Sequence, residues 1–284
     1  MASVVSEAAA LIEAAKRAAC RQAVAENFQP TFKYVGIGSG STVAYVVEAI
    51  AEKGKSVTST MKFIPTGSGS TNLIRDAGLT VLQVPDLLAE VGFTPGASKQ
   101  HIDIYFDGAD EVDSELNCIK GGGACLFQEK VVSRLSKKFI CVADSRKKAD
   151  ALLTKWAYVP VEVAPAAAEL VRQTLVDLGS REPVVRIAGP TYTYAITDNH
   201  NYIIDAPFPP LLLNAQADRI DPALGRWTPD ALAAKIRAVL GVLEVGIFSG
   251  MTGPQAAAEG PAAEGVKPVK VYFGKADGGY ETME

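Results

Sequence analysis

The segment Phe106-Asp107-Gly108-Ala109-Asp110-Glu111-Val112-Asp113 is followed by Lys120-Gly121-Gly122-Gly123-Ala124 and then Glu129-Lys130, which puts carboxylates, an ammonium and a flexible glycine turn into one short window. Carboxylates move protons, an ammonium stabilises a developing oxyanion, and glycines let backbone N–H groups approach an anion. Together they are the set that sugar chemistry without a metal requires. Two readings of these charges stand side by side. Glu129 follows the glycines about one and a half turns into a helix, so Lys120 and Glu129 face one ligand. Alternatively Lys120, Glu129 and Lys130 are solvated surface charges, the commoner fate of such residues.

Ile102-Asp103-Ile104-Tyr105-Phe106 reads as a buried strand that delivers Asp107 and Asp110 to its end, where open α/β sheets keep their sites. A second glycine loop, Gly36-Ile37-Gly38-Ser39-Gly40-Ser41-Thr42, follows an earlier strand. Its glycines run GxGxG, with Ser41 where a dinucleotide fingerprint needs its third glycine, and the next strand ends Phe63-Ile64-Pro65 with no acidic residue for a ribose. A single phosphate suits the loop: backbone N–H groups, the hydroxyls of Ser39, Ser41 and Thr42, and the positive end of the next helix all donate. The competing reading is a tight strand-to-helix turn capped by Ser41 or Thr42. Pro65-Thr66-Gly67-Ser68-Gly69-Ser70-Thr71 either contacts sugar hydroxyls at a helix start or is a flexible linker, and Ala143-Asp144-Ser145-Arg146-Lys147-Lys148 puts cations past the end of another strand.

These groups need a scaffold, and the hydrophobic pattern supplies one. An N-terminal helix over Met1 to Cys20 precedes the strand Tyr34 to Gly38, and a helix over Ser41 to Lys53 carries apolar residues at Val43, Val46, Val47 and Ile50. Strands follow at Met61–Pro65, Leu79–Val84, Ile102–Phe106 and Lys138–Ala143, with helices over Thr71–Ala77 and Ala124–Leu135. Alternation of this kind predicts an α/β fold with a doubly wound, mostly parallel, Rossmann-like sheet. From about Ala157 the pattern changes to strands at Val159–Val163, Val184–Ile187 and Ile203–Asp205 around a helix over Ala166–Leu178. That predicts a second, smaller α+β domain over 157–241, with the catalytic domain formed by 1–156 and 242–284. Pro207 to Trp227 reads as a long connection before a helix at Pro229–Leu240. Val242–Phe248 and Val269–Phe273 read as late strands returning to the first domain, with a surface loop rich in Gly, Ala and Glu between them.

Composition bounds the partners. The 284 residues are 48% hydrophobic, enough for a substantial core, and 28 basic against 32 acidic residues leave a formal charge of −4 with no basic block. A small-molecule partner is favoured over nucleic acid. Cys20, Cys118, Cys125 and Cys141 form no CxxC pair, which suits reduced thiols, and His101 and His200 lack a neighbouring ligand, so no metal site is expected. No apolar run reaches the roughly 20 residues a bilayer needs, and the first helix lacks the pattern of a cleaved leader, so the expected location is cytoplasmic.

Taken together, GIGSGST, FDGADEVD, KGGGACLFQEK and ADSRKK, in this order and spacing, closely resemble type A ribose-5-phosphate isomerases. The likeness runs from about Lys16 through Lys147 and continues more loosely through Thr197-Asp198-Asn199 and Gly241 to Phe248. It implies a cofactor-independent aldose–ketose isomerase of the pentose phosphate pathway, forming a homodimer or homotetramer. By that resemblance Glu129 is the base that moves a proton between C2 and C1, and Asp107, Asp110 and Lys120 handle the sugar oxygens. Ser39, Gly40, Ser41, Thr42, Gly108, Ala109, Gly121, Gly122, Gly123 and Lys147 line the substrate site, and Lys16 reaches the phosphate. Ser39 departs from a common threonine but keeps the hydroxyl, and Arg146 replaces a small residue beside Lys147. The Pro207–Trp227 stretch exceeds compact relatives. Two alternatives from other classes are a noncatalytic sugar-phosphate-sensing domain and an acyl- or CoA-transferase using the glutamate as nucleophile.

Overall fold

The computed structural model describes residues 2–92, 94–189 and 193–284, with side chains from residue 10 onward; Met1, where the expected first helix begins, lies outside them. The helices are α1 (Ala2–Asn27), α2 (Val43–Ala51), α3 (Lys55–Thr58), α4 (Ser68–Asp76), α5 (Val84–Val91), α6 (Leu126–Arg134), α7 (Ala168–Asp177), α8 (Pro229–Arg237) and α9 (Gly253–Glu259). The strands are β1 (Tyr34–Ile37), β2 (Lys62–Pro65), β3 (Ile104–Asp107), β4 (Glu111–Val112), β5 (Cys118–Ile119), β6 (Phe139–Asp144), β7 (Val159–Val163), β8 (Val184–Val185), β9 (Ile187–Ala188), β10 (Thr193–Tyr194), β11 (Tyr202–Ala206), β12 (Val242–Val245), β13 (Ile247–Phe248), β14 (Met251–Thr252), β15 (Gly265–Lys267), β16 (Lys270–Gly274) and β17 (Tyr280–Met283).

The chain forms two compact units. The first comprises Met1–Ala109, Val131–Lys147 and Met251–Glu284, and its sheet has the order β17-β16-β6-β3-β1-β2. All neighbours are parallel except the β16–β17 hairpin. Counting the parallel strands in chain order gives 2-1-3-4-5, the doubly wound pattern whose ligand crevice opens where the order reverses, between β1 and β3. All four residues of β1 and of β3 are buried. The apolar stripe Val43, Val46, Val47 and Ile50 is the buried face of α2, as its spacing predicts. Gly36 is needed inside β1 because a Cβ there would meet Tyr105 Cδ2 and Val132 Cγ1 at 2.8 Å.

The second unit comprises Asp110–Lys130 and Lys148–Gly250. Its sheets are antiparallel, in the orders β12-β7-β11-β8, β13-β5-β4 and β10-β9. Val161, Val163, Val171, Ile204, Leu232 and Ile236 form the heart of its core. The Pro207–Trp227 stretch is part of that core: Phe208, Leu211 and Trp227 are buried, and Trp227 Nε1 donates to the Leu178 carbonyl at 2.9 Å. Thr228 then caps α8 with Pro229 in its first turn.

The division differs from the expected 1–156 with 242–284 against 157–241. Val242–Phe248 does not return to the parallel sheet; β12 pairs with β7, and β13 pairs with β5 through Ile247↔Ile119 and Phe248↔Cys118. Those hydrogen bonds draw Asp110–Lys130 and the segment before Gly250 into the second unit. β16 does join the parallel sheet beside β6. Leu79–Val84 forms only a bridge, Phe63↔Val81, before α5 begins at Val84. The expected surface loop between the late strands contains α9, whose start is fixed by a reciprocal Thr252–Gln255 capping box.

Candidate active site

The end of β3 shapes the site in the first unit. Asp107 is fully buried; Tyr105 Oη donates to its Oδ2, and the Gly108 N–H donates to Oδ1 at 2.7 Å. The loop after β1 presses on this carboxylate. The Gly38 N–H donates to the Phe106 carbonyl at 2.9 Å, and a Cβ at Gly38 would lie 1.9 Å from Asp107 Oδ1. Gly38→Ala is therefore expected to displace the carboxylate, with an overpacking cost of about 1–3 kcal/mol. Thermal melts and turnover of the variant check this, and wild-type values for both would show that the methyl is accommodated.

Beyond Gly38, Gly40 sits at φ +98°, a left-handed conformation that favours glycine. Thr42 occupies the N-cap position of α2, yet its side chain makes no capping hydrogen bond, which weakens the purely structural reading of the loop. Cys20 Sγ donates to the Thr42 carbonyl at 3.3 Å. Lys16 lies one turn earlier than Cys20 on the same face of α1. Lys16 is buried and paired with Glu13 Oε1 at 2.7 Å. Arg146 is engaged by Asp144, its Nε donating to Oδ1 at 2.7 Å, so its charge is spent locally; Lys147 follows in the single turn after β6. The Gly67–Thr71 segment is a helix start and not a linker: Ser70 Oγ accepts the Thr66 N–H at 3.0 Å, and both Ser70 and Thr71 donate to the Gly67 carbonyl.

The second unit holds Glu129 and Lys120, the expected base and cation. Lys120 leaves β5 with its N–H on the Gly246 carbonyl at 2.8 Å, and Glu129 lies in the first turn of α6. The triple glycine between them turns the chain back, with Gly121 at φ +108°, where a Cβ would also strike Leu126 Cδ2 at 2.7 Å. Lys120 Nζ and Glu129 Oε2 meet at 3.2 Å, and each residue is only 3% exposed. Lys130 is 2% exposed, so the solvated-surface reading fails for all three charges. A buried ion pair contributes little net stability, so stability alone does not account for placing these two charges out of water. Asp110 is in the same unit and accepts the Gly122 N–H at 2.7 Å.

Both neighbours of Glu129 are anchored. Gln128 Nε2 donates to Asn199 Oδ1 at 3.1 Å, and Asn199 in turn donates to the buried Glu162 carboxylate, as do Thr197 and Asn201. The looser motif Thr197-Asp198-Asn199 thus braces the start of α6. Lys130 Nζ donates to the Ile247 carbonyl, lies 3.8 Å from Glu244 Oε1 and sits 4.0 Å above the Phe248 ring, which also faces Lys120 Nζ at 5.3 Å. Neither Gln128 nor Phe248 stands out in the sequence as a site residue. Their signal is distance along the chain: Asn199 and Phe248 come from strands and turns that only folding brings to residues 120–130.

The first unit therefore brings together Gly38 and Asp107–Gly108 and also contains Ser39–Thr42, Lys16 and Lys147; the second brings together Asp110 and Gly122, and Lys120 and Glu129 across the Gly121–Gly123 turn. Within the second unit a carboxylate, an adjacent ammonium and a glycine loop with amides suited to anionic oxygens lie together. Among the described residues no group of three or more His, Cys, Asp or Glu is arranged to hold a metal, and no helix is long and apolar enough to cross a membrane.

Residues 62–259 match a sequence model described as ribose 5-phosphate isomerase A (phosphoriboisomerase A). A ribose-5-phosphate isomerase of Mycosarcoma maydis is 45% identical over 86% of this chain and 77% of that protein. One of Schizosaccharomyces pombe is 44% identical over 94% of this chain and 82% of that protein. Among solved structures, ribose 5-phosphate isomerase A of Methanocaldococcus jannaschii superposes with a TM-score of 0.72 at 27% identity, covering 95% of this chain and 98% of that one. A D-ribose-5-phosphate isomerase in complex with phospho-erythronic acid gives 0.73 at 28% identity, covering 96% and 99%.

Proposed function

Because the chain belongs to the ribose 5-phosphate isomerase A family and is an isomerase, we propose that it interconverts D-ribose 5-phosphate and D-ribulose 5-phosphate, without a cofactor and through an enediolate. The observation that carries this reading is the buried Lys120–Glu129 pair at 3.2 Å, joined by a glycine loop. One structural relative is described as holding phospho-erythronic acid, a phosphorylated sugar acid whose planar carboxylate resembles the two-oxygen end of an enediolate.

In the open-chain aldose, the Glu129 carboxylate takes the proton from C2. The bonding pair forms C1=C2 and the carbonyl electrons move to O1, where the Lys120 ammonium stabilises the charge. Asp107 passes the O2 proton to O1. Electrons on O2 then re-form a carbonyl at C2 while C1 takes back the proton held by Glu129, which balances the step. Asp110 orders the glycine loop through the Gly122 N–H. Ser39–Thr42, Gly121–Gly123, Gly108, Ala109, Lys147 and Lys16 bind the phosphate and hydroxyls. The reaction belongs to the non-oxidative branch of pentose phosphate metabolism.

A coupled assay with ribose 5-phosphate in the presence of a chelator tests substrate, reaction and metal independence at once. Ketose formation at an undiminished rate is expected. No ketose under these conditions would reject the reading, and activity lost only with chelator would reject its metal-free chemistry.

A further inference from the structure

We propose that Arg186, held by Asp205, sets the conformation of the Lys120–Ala124 loop and is thereby a positioning residue for the isomerisation. This inference rests on the function proposed above. Arg186 is the single residue between β8 and β9, and its backbone is fixed on both sides: its N–H donates to the Ile203 carbonyl at 2.7 Å, and its carbonyl accepts the Ala195 N–H at 2.8 Å. The guanidinium grips Asp205 with two bonds, Nε to Oδ2 at 2.8 Å and Nη2 to Oδ1. That leaves Nη1, which donates to the Gly121 carbonyl at 2.9 Å and the Gly122 carbonyl at 3.2 Å. The side chains of Arg186 and Asp205 are 14% and 12% exposed, so the pair lies largely out of water.

Three consecutive glycines have little intrinsic conformational preference, so hydrogen bonds must set their geometry: the Ala124 N–H closes a turn on the Gly121 carbonyl at 3.1 Å, and groups outside the loop hold that turn in place. Two partners do so from opposite sides. In a trans peptide the C=O and N–H point opposite ways. With the Gly121 carbonyl on Arg186, the N–H of the same peptide faces Asp110, whose Oδ2 takes it at 2.7 Å. With the Gly122 carbonyl also on Arg186, the N–H of Gly123, an exposed residue, is turned away from the guanidinium. The loop is therefore clamped between a cation on its carbonyl side and a carboxylate on its amide side. That clamp fixes the path from Lys120 to Glu129 and aims a backbone donor outward. Lysine cannot replace it, since a point ammonium lacks the planar fork that serves a carboxylate and two carbonyls together.

The test compares wild type, Arg186→Lys and Asp205→Asn by steady-state isomerisation of ribose 5-phosphate and by backbone hydrogen exchange of the peptide spanning Lys120–Ala124. Both variants are expected to lose about 10-fold to 100-fold in kcat/KM, the scale set by small misplacements of reacting groups. Exchange in that peptide should accelerate at least tenfold while α7 and α8 keep wild-type protection. The double variant should be no worse than the poorer single one, because both changes break one clamp. Wild-type kcat/KM in Arg186→Lys, or unchanged exchange in the loop, overturns the inference. If wild type itself fails to convert ribose 5-phosphate, the proposed function fails, and the exchange measurement still decides whether Arg186 orders the loop.

Discussion

Glu129→Gln is expected to lower kcat by about 100-fold to 10,000-fold, the range that a positioned general base contributes. The amide is isosteric, and its oxygen can still accept from Lys120, so substrate affinity should change only a few-fold. What it cannot do is take a proton from carbon. The decisive measurement is incorporation of solvent deuterium into the substrate, followed by NMR: the variant should incorporate none on the timescale of many wild-type turnovers. Wash-in at a wild-type rate would assign the base to another residue. Because the Lys120 ammonium would then lie buried against a neutral partner, the melting temperature should also fall, and circular dichroism must confirm a folded variant before the rate is interpreted.

Lys120→Met removes the charge while keeping much of the side-chain volume, and its effects should be felt twice. Loss of the ammonium proposed to stabilise the developing oxyanion is expected to lower kcat by about 100-fold to 1,000-fold, the scale of removing one preorganised donor. A change confined to KM would contradict that role. Stability should fall by about 3–5 kcal/mol, because Glu129 is left buried without its cation. The double variant Lys120→Met with Glu129→Gln separates the two effects. It should recover part of the lost stability, since no uncompensated charge remains, yet recover no activity. Additive stability losses in a denaturant titration would mean that the 3.2 Å contact is energetically silent.

What was legible in the sequence was local. The apolar spacing of Val43, Val46, Val47 and Ile50 repeats with the helical period, and those residues are the buried face of α2. Ile104-Tyr105-Phe106 is an uninterrupted apolar run, and it is a fully buried parallel strand ending at Asp107. The glycine loops could be located because glycine marks backbone that other residues avoid, as at Gly40 and Gly121. Leu79–Val84 misled because a short apolar run has no length in which to declare its partner. Only Val81 bridges to Phe63, and the chain turns into α5. The segment holding α9 misled in the opposite way: its richness in Gly, Ala and Glu read as loop, while the Thr252–Gln255 capping box starts a helix there.

By itself the sequence determined which chemistry was available, namely the carboxylates at 107, 110 and 129, the ammonium at 120 and the glycines beside them, together with a family resemblance that the comparisons bear out. Only the tertiary structure decided that Lys120, Glu129 and Lys130 are buried, that β12 and β13 pair with β7 and β5, and that Arg186 and Asp205 grip the loop. The physical reason is range. Periodicity and turn chemistry act over a few residues, whereas burial of a charge and the pairing of strands depend on groups far apart in the chain, such as Glu129 and Asn199, that meet only after folding.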